Sequence, residues 1–74
     1  MEYPALGIYE HYKGAKYRVL GIARNRDTAE EFVLYEPLHE VPEGRFWVRP
    51  VSNWLEPVEV EGKTQARFKF VSSE

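Results

Sequence analysis

The chain has 74 residues, of which 43% are hydrophobic and 15% aromatic, with no cysteine and a formal net charge of −2. This length fits one domain, and the aromatic content excludes a disordered chain, which lacks the large apolar side chains that fill a core. The absence of cysteine excludes disulfides, thiolate catalysis and most zinc sites. We therefore expect a single domain over residues 1–74.

The sequence contains neither a signal peptide nor a membrane-spanning segment that we can recognise. The first residues, MEYPALG, lack the basic and apolar regions of a signal peptide. No apolar run approaches the roughly 20 residues that span a bilayer. We expect a cytoplasmic protein without a membrane partner.

The stretch GIYEHYKGAKYRVLGIAR, residues 7–24, predicts a hairpin of two strands, because its side chains alternate with a period of two. Gly14, in the short connection KGAK, can take the positive φ that such turns demand. Gly21, in the middle of the second strand, predicts a bend or a bulge. Uninterrupted alternation along that strand places on one face Tyr17, Val19, Gly21 and Ala23.

The next turn candidate is NRDT, residues 25–28, whose side chains hydrogen-bond their own backbone. A strand, EFVLYEPL, follows and ends near Pro37, which cannot donate to a ladder. DTAEEFVLYE also allows a helix, because Thr28 and Glu31 have the spacing of a capping box. We favour the strand, because the Phe-Val-Leu-Tyr run has high β-propensity.

The second half of the chain is divided by prolines. HEVPEG, residues 39–44, predicts a loop, and RFWVRP a fourth strand that stops at Pro50. SNWLEP is too short for an α-helix and predicts a 3₁₀ turn near Ser52–Leu55, started by Ser52 or Asn53, with Trp54 and Leu55 pointing inward. VEV, a turn at EGK, and ARFKFV complete the strands.

Together these elements predict an all-β fold. Five or six short antiparallel strands with regular turn signals indicate a small barrel or sandwich. Closing the sheet also removes exposed edges, which are an aggregation hazard. We expect an SH3-like barrel in which the first and last strands are neighbours.

Two resemblances are visible. The string HYKG at residues 11–14, with Tyr17-x-Val19, Val33-x-Tyr35 and WVRP at 47–50, resembles the bacterial family known as domain of unknown function 1653. That resemblance covers nearly the whole chain and implies a short β-rich protein with no established activity, although the HEVPEG loop is longer than the compact loop of the family. SNWLEPV, Ser52–Val58, is similar to the part of SH3 domains that runs from a 3₁₀ turn into the last strand.

The SH3 resemblance implies a groove for polyproline helices, lined in SH3 domains by a tryptophan, which FW resembles, and by the aromatic side chain of the 3₁₀ turn. The acidic loop of peptide-binding SH3 domains has no clear counterpart in this sequence apart from NRDTAEE. Aromatic side chains beside arginine are typical of binding surfaces. We therefore predict a non-catalytic module that binds a protein or peptide partner, or a second copy of itself, through Tyr12, Lys13, Trp47, Arg49 and Trp54.

Charge is segregated along the chain, which favours a second hypothesis. Residues 1–26 carry five basic and two acidic side chains, residues 27–61 two basic and nine acidic, and residues 62–74 three basic and one acidic. Neighbouring terminal strands would gather basic groups with aromatic residues between them, as in binders of single-stranded nucleic acid. Those groups are Lys13, Lys16 and Arg18 with Lys63, Arg67 and Lys69.

Catalysis is the least supported class. His11 and His39 have no ligand spacing between them, so we predict neither a metal site nor a cofactor. Asp27 is the only aspartate, and no Ser-His-Asp pattern or glycine-rich phosphate loop is present. A third hypothesis remains, in which His11 acts with a glutamate in a small-molecule binder or an enzyme.

Overall fold

The computed structural model of the chain describes residues 3–38 and 46–73. Within them lie seven strands, more than the five or six predicted, and one short helix. Every strand pair is antiparallel, which confirms the all-β class. The predicted HEVPEG loop and His39 lie outside the described residues. The elements are β1 (Gly7–His11), β2 (Lys16–Arg24), β3 (Glu31–Pro37), β4 (Trp47–Pro50), α1 (Val51–Leu55), β5 (Val58–Val60), β6 (Lys63–Gln65) and β7 (Phe68–Ser72).

Five strands form the main sheet in the order β4-β3-β2-β1-β7, and β5 and β6 form a separate two-stranded sheet. The first and last strands are therefore neighbours, as predicted. The predicted closed barrel is wrong, because β4 and β7 lie at opposite edges of the main sheet and do not pair with each other. β4 ends at Pro50, which has no N–H to donate, and the chain turns at once into α1.

The bend expected in β2 is a bulge, and it reverses the faces of the strand. The register with β3 shifts between Val19 and Gly21. Val19 lies opposite Tyr35, whereas Ala23 lies opposite Phe32, three residues away on β3 and so on its other face. The prediction that Val19 and Ala23 share a face is therefore wrong, because one extra residue changes the side-chain parity of everything after it.

The predicted 3₁₀ turn near Ser52–Leu55 is a single α-helical turn, Val51–Leu55. It begins directly after Pro50, whose φ of −52° and ψ of 138° bring the extended chain to the helix, and no side chain caps it. Trp54 points inward as predicted, with 3% of its surface exposed. Leu55 does not, because a five-residue helix turns only one side to the core.

The turn at residues 25–28 forms as predicted, and the helical alternative that extends from it is wrong. The Asn25 Oδ1 atom accepts hydrogen bonds from the backbone N–H groups of Asp27 at 2.9 Å and Thr28 at 3.1 Å. Ala29 then takes a positive φ of 66°, which ends the turn before β3 begins at Glu31. The local side-chain hydrogen bonds thus outcompete helix capping.

The core lies on one face of the main sheet, where α1 packs against β3 and β4. Trp54 is at its centre: its indole stacks on Phe68, and the edges of Tyr9 and Tyr35 meet it at centroid distances of 5.4 and 5.1 Å. Aromatic rings supply much of the buried area in so small a protein. The buried cluster comprises Tyr9, Val19, Val33, Tyr35, Val51, Trp54 and Phe68.

No helix in the described part of the chain is long and apolar enough to cross a membrane.

Candidate functional site

The five predicted site residues do not form one surface. Trp54 is buried in the core, stacked between other rings, so a partner on the surface does not reach its indole. Tyr12, Lys13, Trp47 and Arg49 remain half-buried or exposed. Tyr12 and Lys13 directly follow β1, and Trp47 and Arg49 lie on β4.

Trp47 lies at the rim of the core and leaves 37% of its surface exposed. It is opposite Tyr35 in the sheet, with ring centroids 6.1 Å apart, and it also approaches Tyr17 at 6.2 Å. Its neighbours Phe46 and Val48 are more exposed, at 62% and 54%. Trp47 is therefore anchored on one side by tyrosine rings and open to solvent on the other.

Arg49 is two residues further along β4, on the same face as Trp47. Its Nη1 atom donates a hydrogen bond to Asn53 Oδ1 at 2.7 Å, and its Nε atom makes a long contact of 3.5 Å with the hydroxyl of Tyr35. Its Cζ atom lies over the ring of Phe68, 5.2 Å from the centroid. Neutral groups thus hold the guanidinium, and it makes no ion pair with an acid of residues 3–38 or 46–73.

His11 contacts the same phenylalanine from the neighbouring strand, β1. It is the register partner of Phe68, and the two rings meet edge to face at 4.9 Å. Tyr12 packs beside the imidazole at 4.5 Å. The Nδ1 atom of His11 accepts the backbone N–H of Lys13 at 3.2 Å. The proton of the neutral ring is therefore on Nε2, which is left to donate.

The electrostatic environment of His11 is cationic. Burial lowers the pKa of its imidazole, and the positive charges of Arg49, Arg67 and Lys13 lower that pKa further. These three cations come from three different segments of the chain. An anion at this point would meet favourable charge from each of them.

Arg67 contributes a buried donor. Its Nη2 atom pairs with Glu56 Oε1 at 3.3 Å, and its carbonyl oxygen accepts the N–H of Tyr12 at 2.9 Å. Its Nε atom is buried and has no hydrogen-bond acceptor in the described residues. We call His11, Arg49, Arg67 and Phe68 the cationic aromatic cluster.

Tyr12 and Lys13 border this cluster at one end. The Lys13 ammonium lies 5.8 Å from the centroid of the Tyr12 ring. The structure therefore brings Tyr12, Lys13 and Arg49 together around His11. Trp47 borders the opposite end, connected to Arg49 through Tyr35.

An open groove of about 440 Å³ adjoins His11. Sequence reasoning missed it, because the groove exists only where the end of β1 passes the link between β6 and β7. The predicted pairing of the terminal strands was the one signal for it, but pairing alone does not give the register. The groove is lined by Glu10, His11, Tyr12, Gln65, Ala66 and Lys69.

The basic residues predicted for nucleic-acid binding are interleaved with acids. The terminal strands bring Lys16 and Lys69 to the same neighbour, Glu10, on either side of β1. Both arginines of the predicted basic group are in ion pairs. The pairs are Arg18 with Glu36 at 3.4 Å and Arg67 with Glu56 at 3.3 Å.

Chemistry at a metal has no visible basis in the described ranges. No group of three or more His, Cys, Asp or Glu side chains comes together within residues 3–38 and 46–73 in a way that could hold a metal ion. The third hypothesis, in which His11 acts with a glutamate, stays a prediction.

Comparison with known proteins gives one family. The model of the family described as "Protein of unknown function (DUF1653)" matches residues 7–70. A crystal structure of a protein from Bordetella bronchiseptica, described as belonging to DUF1653, is similar with 35% sequence identity and a TM-score of 0.83, covering 92% of this chain and 87% of that one. A search of curated proteins gave no match.

Proposed function

This chain belongs to the DUF1653 family, which is described as of unknown function, and we propose that it is a non-catalytic interaction module for a protein or peptide partner. Arg49 carries the proposal. Its guanidinium is oriented by Asn53, Tyr35 and Phe68, but no acid of the described residues neutralises it. An arginine held in place before binding loses little side-chain entropy when a partner arrives.

Exposed aromatic area beside that arginine supports the same proposal. Trp47 presents one open side, and Phe46 and Val48 next to it on β4 are more than half exposed. Tryptophan and arginine are the residues most enriched among those that dominate binding energies. A surface with both, fixed on a strand, suits recognition of another chain.

Among the strands of residues 3–38 and 46–73, β4 pairs with β3 alone and is an edge of the main sheet. Edge strands offer unpaired backbone groups to an extended segment, which can add to the sheet. We include self-association in the proposal, because a second copy of the chain can supply such a segment.

The finer fold assignment is part of the proposal too. An SH3-like arrangement is supported by the linear order β4-β3-β2-β1-β7, by the bulge in β2, and by the helical turn that follows β4. In such folds extended peptides lie across aromatic side chains. The cysteine-free composition supports a cytoplasmic location.

The test is a peptide screen on the whole chain followed by amide chemical-shift mapping. We expect binding of at least one class among acidic, basic, proline-rich and aromatic peptides, with shifted signals at residues 12–13 and 47–49. Trp47→Ala should weaken that binding while the spectrum stays folded. Arg18→Gln is the control, since Arg18 pairs with Glu36 away from this surface.

Two outcomes would count against the proposal. Binding only to single-stranded oligonucleotides, lost as salt rises, would favour the nucleic-acid hypothesis. A chain that binds no peptide, and whose sedimentation does not change with concentration, would end the interaction hypothesis.

A further inference from the structure

His11 and Arg49 contact the ring of Phe68, Arg67 precedes it in the chain, and each of the three has an N–H donor without an acceptor among the described residues. The Nη2 group of Arg49 is left to donate to a ligand, because the Nη1 and Nε atoms contact Asn53 and Tyr35. The Nε2–H group of His11 is also left to donate, because its Nδ1 atom accepts a hydrogen bond from the backbone N–H of Lys13. A buried donor without an acceptor is costly, and few native structures keep one. The Nε of Arg67 is such a donor, which makes this cluster unusual in a well-packed protein.

We infer that the cationic aromatic cluster binds a carboxylate side chain of the partner, with Arg49 as its main contact. This inference rests on the proposed function and names the chemistry of its ligand. The carboxylate lies between Arg49 and His11, which both contact Phe68 and each have an N–H group left to donate, and Lys13 adds positive charge. Phe68 forms the apolar base of the site and keeps water from screening the charges on that side.

Trp47 sets a second requirement on the same partner. It is two residues from Arg49 on β4, so the two side chains share a face and are about 7 Å apart along the strand. An extended peptide that runs along β4 repeats this spacing in its own side chains. The partner segment therefore carries an Asp or Glu two positions from an apolar aromatic residue, and the aromatic ring packs on the exposed side of Trp47.

The charges around the site favour a peptide carboxylate over a nucleic-acid backbone. Glu56 already forms an ion pair with the Nη2 atom of Arg67, and Glu10 lines the adjacent groove. A chain of phosphates that crosses the cluster would meet both acids. A single carboxylate at Arg49 meets neither directly.

The experiment uses the whole chain and short peptides with blocked ends. The test peptide is Gly-Glu-Ser-Trp-Gly. A second peptide replaces its Glu by Gln, and a third, Gly-Ser-Glu-Trp-Gly, brings Glu next to Trp. Amide spectra give the affinity and the position of each, and the ring signals of His11 report the charge placed beside it.

We expect the test peptide to bind at residues 11–13, 47–49 and 67–68, and the other two to bind about tenfold more weakly or not at all. Arg49→Gln should lower the affinity by about tenfold, which is the loss of one charge-assisted hydrogen bond. Arg18→Gln should not change it. The bound carboxylate should also raise the pKa of His11, seen as a shift of its ring titration to higher pH.

Equal binding of the Glu and Gln peptides, or full affinity of Arg49→Gln, would overturn the inference. So would absence of binding by all three peptides. Binding of another class of peptide away from the cluster would leave the proposed function standing and reject the carboxylate site alone. Inorganic phosphate or oligo(dT) that binds the cluster more tightly than the test peptide would show that the site takes phosphates instead.

Discussion

The indole of Trp54 and the ring of Phe68 are stacked with their centroids 3.6 Å apart and their planes 2° apart. Trp54 comes from α1 and Phe68 from the start of β7, so this contact fastens the helical turn to the strand beside β1. Arg49 lies over the same phenylalanine. One ring therefore belongs both to the core and to the candidate site.

Trp54→Ala should remove much of the stability of the protein. Large aromatic to alanine changes in a core cost about 3–5 kcal/mol. That is a large fraction of the free energy of unfolding for a domain this small. Urea denaturation followed by circular dichroism measures the loss. Trp47→Ala is the control and should cost clearly less, because its indole is 37% exposed; equal losses would place Trp47 in the core.

Gly7→Ala should be strongly destabilising. A Cβ atom at this position would collide with the backbone carbonyl oxygen of Ser72 and would lie 3.1 Å from the Cα of Ser73. The φ of Gly7, 142°, also disfavours any side chain. We expect a loss above about 2 kcal/mol in thermal or urea unfolding.

Gly21→Ala is the matched control for Gly7. Nothing lies within 4 Å of a Cβ added there. Its stability change should stay within about 1 kcal/mol. If both variants unfold alike, the close approach of β1 to the chain at Ser72 does not explain the glycine at position 7.

Ala29→Gly should stabilise the protein. Ala29 has a φ of 66°, a region that costs an L-residue about 1–2 kcal/mol and glycine almost nothing. Part of that gain is offset by the greater freedom of glycine in the unfolded chain, so we expect up to about 1 kcal/mol. Ala66→Gly, at an exposed position without a positive φ, should instead lower stability. Midpoints of urea unfolding compare the two.

The titration of His11 should couple to folding with a definite sign. Its pKa in the folded protein is lowered, by burial first and then by Arg49, Arg67 and Lys13. Above the unfolded pKa of about 6.5 the ring is neutral in both states and has no effect. As pH falls through that value and then through the folded pKa, the unfolded state binds the proton first, so stability decreases.

His11→Gln should flatten this decrease, when unfolding is measured from pH 7.5 to pH 5. Ring proton shifts give the pKa of His11 directly. Arg49→Gln should raise that pKa toward its ordinary value, and Arg18→Gln should leave it where it is. A folded-state pKa of His11 above the ordinary value would contradict the geometry of the cluster.

Local chemistry made most of the elements predictable. Gly14 takes a φ of 108° in the first hairpin, and Asn25 caps its own turn, so these connections follow from residue type. The separate β5–β6 hairpin turns through Glu61 and Gly62, both with positive φ, as the predicted turn at EGK requires.

What depends on long-range packing was not predictable. A single extra residue before Gly21 moves Ala23 to the other face. No local sequence signal shows which of the two paired strands carries the bulge. The open sheet likewise follows from where β4 stops. In the site, residue type alone selected Arg49, but the approach of Arg67 to His11 needs the register of β7 on β1.

The position of β7 also orders events during synthesis on the ribosome. β1 is the first strand to be made, and β2 pairs with one of its edges. The other edge of β1 stays unpaired until β7, Phe68–Ser72, is available. Until then the face of Trp54 that Phe68 later covers has no ring against it. A chain that lacks Phe68–Ser72 therefore keeps an unfinished apolar surface at Trp54, which chaperones and proteases would recognise.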